Sequence, residues 1–262
     1  MRDDNQRRKF MKHQTPNIRK TDIEREGSYL LRKLLRQARA SVAAEFGATL
    51  SVHGDFQAFG QVDREGGYTF GAYDNRFTRA SRGTCIVVKH QGRKIGTYAC
   101  ALFDAHPSMS EVMEGPGLYF DGSDDHLRIE GPKARQWFHA MRGSVGFSGG
   151  IWVSKAYRGT PLSHLLVPML PLLGRAIAVE CWGVDHVFAM MPEQVMRKGI
   201  GQRYRLSITE PGIVWHHDGA DIPMWFGYHP PLMIVHDALS FLDQGLALFQ
   251  APDTGTARTA AA

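Results

Sequence analysis

The sequence predicts an α/β (α+β) domain with helices flanking a central sheet, and three observations carry that prediction. Of the 262 residues 43% are hydrophobic and 22% charged, a balance that lets a chain of this length bury a full core. An amphipathic helix near the start precedes an obvious hairpin. Further on, a strand leads through a short turn into a long apolar helix and out into another strand. At about 100–200 residues per domain the length admits one large unit or two small ones. The order of elements favours one, from residue 23 to 249, between a basic arm at 1–22 and a disordered tail at 250–262.

Within residues 23–46, Leu31, Leu34, Leu35, Ala38, Val42 and Phe46 recur at helical spacing with Arg and Lys between them, and Gly47 closes the helix. Residues 53–82 are rich in Gly and aromatics without clear period and read as loop with a short helix. From Thr84 to Phe103 two β-rich runs surround Gln91, Gly92 and Arg93, the signature of a hairpin. Residues 104–132, dense in Gly, Asp, Ser and Pro, read as a mostly irregular insertion of the kind that shapes binding sites. A strand is expected from Gly143 to Val153. After it, Thr160 can cap a helix whose first position suits Pro161, while Pro168 and Pro171 should kink that helix or split it. The apolar run VDHVFAMM reads as a strand, EQVMRKGIG as a short helix, and residues 207–228 as two strands around His217, Asp218 and Gly219. A last helix is expected over about His236 to Phe249, ahead of the Ala/Thr/Gly-rich end Ala251 to Ala262.

The formal net charge of +5 sits in the first 20 residues, which hold seven basic and two acidic groups. Taking those from the totals of 31 and 26 leaves 24 of each sign, so the remaining chain is neutral. A basic arm is ordinarily a solvated segment, and nucleic acid is not an expected partner of the domain itself. The start MRDDNQRRKF lacks the apolar stretch of a secretory signal. The most apolar segment, Leu165 to Val179, falls short of the roughly 20 residues a membrane span needs. Cys85, Cys100 and Cys181 are too few and too scattered for a disulfide framework, so a cytoplasmic setting with reduced thiols is expected.

The order helix, hairpin, strand, Tyr-Arg-Gly turn, helix, strand, helix, two final strands resembles that of the GCN5-related N-acetyltransferases. The resemblance covers about residues 23–245, and its sharpest part is WVSKAYRGTPLSHLL. That stretch is similar to the family's pyrophosphate loop and the helix it opens, with Arg158, Gly159, Thr160, Pro161, Leu162 and Ser163 at the loop. The chain departs from the family in placing Pro161 at the first glycine and Ser163 at the second. Amides at a helix N-terminus attract an anion whatever the family, small residues let phosphate oxygens approach, and an arginine adds charge. Proline removes one of those amides.

The resemblance implies a mixed, mostly antiparallel sheet with two strands splayed to form an acyl-CoA cleft. It assigns Gly150, Ile151, Trp152 and Val153 to the open edge, with Ala189 and Met190 on the facing strand. It further implies acyl transfer from acetyl-CoA or a longer acyl-CoA, or from an acyl-carrier protein, to a small-molecule or peptide amine, without a metal. The synthases of N-acyl amino acids and N-acyl-homoserine lactones share the core and use carrier proteins, and the basic arm would suit such an acidic donor. Many family members carry a tyrosine as acid on the helix after the second splayed strand, where this chain has Met196 and, further on, Tyr204. On chemistry alone His186, Glu193 and Tyr204 are candidate acids or bases, since all lie on or just beyond that strand.

Other constellations read more simply. His216, His217, Asp218 and His229 include neighbours that point to opposite faces of a strand, which does not suit one metal. Asp121, Asp124 and Asp125 lack the glutamate that closes an EF-hand loop. Two other readings stand beside the enzyme: a binding or regulatory module of the same shape, and a nucleic-acid-associated protein acting through Arg2 to Lys20.

Overall fold

The computed structural model describes residues 22–60, 73–74, 78–115, 118, 126–217 and 219–249. The basic arm, the tail, Asp218 and the Asp121–Asp125 triplet lie outside the described residues. The helix expected at 23–46 is two: α1 at Ile23–Glu26 and α2 at Tyr29–Phe46. Gly27 leaves the first in extended geometry, and Ser28 starts the second by accepting the Leu31 amide. Its hydroxyl also donates to Glu180 at 2.5 Å, tying α2 to a later helix.

Strand β1 (Ala48–His53) follows, then the short α3 (Gln57–Gly60). The predicted hairpin is β2 (Arg82–His90) and β3 (Arg93–Ala105), turning at Gln91 and Gly92, both of positive φ. The insertion is less irregular than its composition suggests. It contains α4 (Met109–Glu114), β4 (His126–Ile129) and the beginning of α5 (Pro132–Ala140). Strand β5 occupies Gly143–Val153 as expected.

Helix α6 (Pro161–Trp182) is a single helix of 22 residues, neither split nor ended by Pro168 and Pro171. Two internal prolines cost about 3 kcal/mol each. Buried Leu165, Leu166, Met169, Leu170, Leu172 and Leu173 contribute about 1.5–3 kcal/mol each, so packing wins. The helix is long and apolar enough to cross a bilayer, but 83% of its apolar window is buried within the domain. Beyond it lie β6 (His186–Pro192), α7 (Glu193–Met196), α8 (Ile200–Arg203), β7 (Ile208–His217) and β8 (Ala220–Tyr228). The segment expected as one short helix is thus two turns, parted where Gly199 takes a left-handed conformation. The last helix, α9 (Pro231–Gln244), begins five residues earlier than expected because Pro231 can open it, and a 3₁₀ stretch Gly245–Phe249 completes it.

The eight strands among the described residues form one sheet in the order β1-β2-β3-β5-β6-β8-β7-β4. Every pairing is antiparallel except β5 with β6, whose connection is α6. This is the mixed, mostly antiparallel sheet that the sequence predicts, with β4 added at the far edge. Helices α1, α2, α6 and α9 cover one face over a core built around Leu34, Tyr98, Leu170 and Phe241. The insertion covers the other face, where Met109, Met113, Ile129 and Phe138 pack with Phe147, Phe188 and Phe226.

Candidate functional site

Strands β5 and β6 pair from Val145 with His186 as far as Ser148 with Ala189, and then part. Beyond that rung β5 keeps only β3, and β6 keeps only β8. The cause lies in β5. Gly150 and Ile151 stand opposite the single residue Tyr98, a bulge that Gly150 makes with φ of +63°. A side chain at Gly150 would meet the Phe59 ring at 2.5 Å, so both backbone angle and space demand glycine. The bulge swings Ile151, Trp152 and Val153 away from β6, and among the described residues that edge of β5 has no neighbouring strand.

The wall of the opening on the insertion side is aromatic. Phe147 and Phe188 stack across the two strands at 4.8 Å, and Tyr73 stacks on Phe147 at 5.2 Å. Two polar atoms interrupt it. Thr97 and Trp152 are cross-strand partners, and among the described residues neither the buried Thr97 hydroxyl nor the buried Trp152 indole N–H has a hydrogen-bond partner. A buried donor without a partner costs roughly 1–3 kcal/mol, which a bound carbonyl or amide would recover. Sequence patterning gave no sign of this pair, since Thr and Trp in strands ordinarily read as packing.

The turn after β5 is a 3₁₀ helix at Lys155–Tyr157, then exposed Arg158 and Gly159. The Tyr157 hydroxyl and His90 Nδ1 are 2.7 Å apart, fastening the turn to the hairpin. Arg158 Nε donates to the Val153 carbonyl at 3.0 Å, so the guanidinium is held over the turn. Thr160 caps α6 by accepting the Ser163 amide at 3.4 Å. The Ser163 hydroxyl returns to the Thr160 carbonyl, and the side chains of Leu162 and Ser163 are buried. Arg158 and Thr160 amides are used inside the turn. Pro161 lacks a donor, and among the described residues the amides of Gly159 and Leu162 have no acceptor. A cavity of about 180 Å³ opens beside the turn, between Phe46, Pro161, Leu165 and Phe249.

The three candidate acid–base residues are not brought together. His186 stands on the closed rung, half-buried, its Nδ1 3.3 Å from the Tyr228 hydroxyl. Burial holds its pKa below the ordinary imidazole value, against the nearby Asp185 charge. It lies three residues, about 10 Å, from the point where the strands part. Glu193 follows Pro192 directly at the open end, with Arg197 at 2.9 Å. Tyr204 is buried in the helix-side core, its ring edge-on to Tyr98, and burial drives its pKa well above the usual phenol range. Among the described residues no group of three His, Cys, Asp or Glu is arranged for a metal ion. His216 instead pairs with Asp221, and His229 with Asp237.

No family model and no curated protein matches the chain. Solved structures resembling it include FeeM, an N-acyl amino acid synthase from uncultured soil microbes, at 12% identity and a TM-score of 0.38 over 82% of this chain and 95% of that one. Another is the CoA-dependent acyl-homoserine lactone synthase BjaI, at 13% and 0.33 over 80% and 82%. A third is Arabidopsis thaliana NAA60 in complex with acetyl-CoA, at 12% and 0.40 over 70% and 99%.

Proposed function

We propose that the protein is an N-acyltransferase that takes an acyl group from acetyl-CoA or a longer acyl-CoA and passes it to an amine. The parting of β5 from β6 beyond Ser148 and Ala189 is the observation that carries this reading. A pantetheine arm laid in the opening would pair its amides with the free edge of Ile151–Val153. Its pyrophosphate would lie over Arg158 and the amides of Gly159 and Leu162, where the dipole of α6 adds a favourable field. The pocket of Phe46, Leu165 and Phe249 gives the adenine an apolar seat.

In the reaction the amine nitrogen attacks the thioester carbonyl carbon, the tetrahedral intermediate collapses, and the C–S bond breaks. Glu193, at the open end, takes the proton that the amine loses, the departing thiolate takes a proton from solvent water, and Glu193 restores the balance by releasing its own to solvent. The Trp152 N–H and Thr97 hydroxyl are placed to donate to a carbonyl of the bound donor. The aromatic wall suits an apolar acyl chain or acceptor. With all three cysteines free, we assign the activity to the cytoplasm.

The test is thermal stability of the full chain with acetyl-CoA, longer acyl-CoAs, free CoA and an acyl-carrier protein. Ligand at a hundred times its dissociation constant adds about 2.7 kcal/mol, or a rise in Tm of very roughly 5–10 °C. A rise lost in Arg158→Ala, followed by acyl transfer to an amine panel, supports the proposal. No rise with any donor at millimolar concentration overturns it. The spent Ser163 amide and the missing Pro161 amide favour a second reading, a module that binds without turnover; binding with no transfer to any amine selects it.

A further inference from the structure

Away from the cleft, Ser207, His229 and Asp237 form a linear relay. Ser207 Oγ lies 2.8 Å from His229 Nδ1, and His229 Nε2 lies 3.2 Å from Asp237 Oδ2. The His229 and Asp237 side chains are each 4% exposed, whereas Ser207 is exposed. Backbone hydrogen bonds fix the first two: the Ser207 amide donates to the Tyr228 carbonyl and the His229 amide to the Val187 carbonyl. Asp237 lies in the second turn of α9, where Arg205 reaches both of its oxygens at 3.3 Å.

The arrangement orders the protons. Arg205 and His229 keep Asp237 ionised, overcoming its burial, and an ionised carboxylate accepts the Nε2–H of His229. The Nδ1 lone pair then faces the Ser207 hydroxyl. Burial, with the Arg175 and Arg205 charges nearby, outweighs Asp237 and holds the His229 pKa below its ordinary value, so the ring is neutral at pH 7. Asp237 already has Arg205 as counter-ion, so neutralising that carboxylate does not require His229. The exposed end of the relay is a nucleophile. The chain after His229 presents Leu232, 78% exposed, and Met233, 41% exposed. Among the described residues the Leu232 backbone amide, at the start of α9, has no hydrogen-bond acceptor.

We propose that Ser207, His229 and Asp237 form a second, hydrolytic centre for small acyl esters or thioesters. The Ser207 oxygen attacks the carbonyl carbon while its proton passes to His229 Nδ1, and the carbonyl electron pair moves to oxygen. Collapse breaks the C–O or C–S bond, and the leaving group takes the proton from His229. The acyl-serine is cleaved by water, with His229 again taking and returning the proton, to give the carboxylic acid and free Ser207. Water is the sole co-reactant.

The experiment treats the full chain with a fluorophosphonate probe, read by intact mass and peptide mapping, and follows p-nitrophenyl acetate hydrolysis in parallel. A single adduct on Ser207, absent in Ser207→Ala, and an esterase rate that falls at least a hundredfold in that variant support the proposal. Ser207 is exposed, so Ser207→Ala should melt within about 2 °C of the parent and the loss cannot be assigned to unfolding. Acyl transfer from CoA should be unchanged in it, which separates this centre from the cleft. If the parent chain forms no adduct and hydrolyses the ester no faster than Ser207→Ala, the relay only clasps α9 to the sheet and the proposal is wrong.

Discussion

Replacing Gly159 by alanine separates a ligand-binding turn from a merely structural one. Gly159 has φ of +77° and nothing within 4 Å of the position a Cβ would take. The folded state therefore suffers only the left-handed penalty of an L-residue, about 1 kcal/mol, a fall in Tm of roughly 2–4 °C. Gly183, at the far end of α6, is an internal control, with φ of +65° and equally open surroundings. Gly183→Ala should cost the same stability. The two variants should diverge in binding. A methyl over Gly159 occupies the space through which an anion reaches the Gly159 and Leu162 amides. Losing one hydrogen bond to a charged group costs about 1.5–3 kcal/mol, so acyl-CoA affinity measured by calorimetry should drop about ten- to a hundredfold in Gly159→Ala and not at all in Gly183→Ala. Equal affinity in both variants would refute the assignment of the turn.

Gly174→Ala, inside α6, would set a Cβ 2.5 Å from the buried Tyr98 ring. Overpacking of about 2–3 kcal/mol exceeds the helix gain of about 1 kcal/mol, so urea unfolding should show a net loss of 1–2 kcal/mol, by the same arithmetic; a stabilised variant would refute it. The Ser207 cluster also predicts a pH profile. His229 has its pKa lowered on folding, so at mildly acidic pH the unfolded chain binds more protons, and stability should fall as pH drops below about 6.5. Asp237 is also lowered on folding, so its contribution is full above about 3.8 and lost as pH falls through its depressed value. Urea midpoints should show a steeper upper slope in the parent chain than in His229→Gln, where the similarly lowered His186 keeps part of it; a flat parent profile from pH 7 to 5 would contradict this.

Much of the cleft is written in local signals. The hairpin turn at Gln91–Gly92, the run of β5 and the Thr160–Pro161 start of α6 each depend on residues adjacent in the chain, so the sequence analysis places them closely. The features that escape it depend on distant partners. Strand β4 is four residues, His-Leu-Arg-Ile, polar enough to read as loop, and it becomes a strand because β7 offers an edge. The unbroken course of α6 through two prolines reflects a buried environment that neither proline announces. The Arg158–Thr160 turn is legible, whereas the spent amide of Ser163 is not. Ser207, His229 and Asp237 are separated by 22 and 8 residues and share no motif spacing, and only the meeting of β7, β8 and α9 joins them. The Thr97–Trp152 pair is likewise a product of strand register.

The placement of β4 at the far edge bears on synthesis. His126 pairs with His216, 90 positions later, so the insertion leaves the ribosome well before the strand that receives it. Until β7 and β8 emerge, Leu127, Ile129 and Phe138 lack Ile213, Trp215, Met224 and Phe226 from their cluster and remain a partly uncovered apolar surface on the nascent chain. Contacts of such long range also slow folding, because the loop must close before it is rewarded. Holding factors that bind exposed apolar segments should therefore raise the yield of native protein, and versions truncated before residue 208 should aggregate.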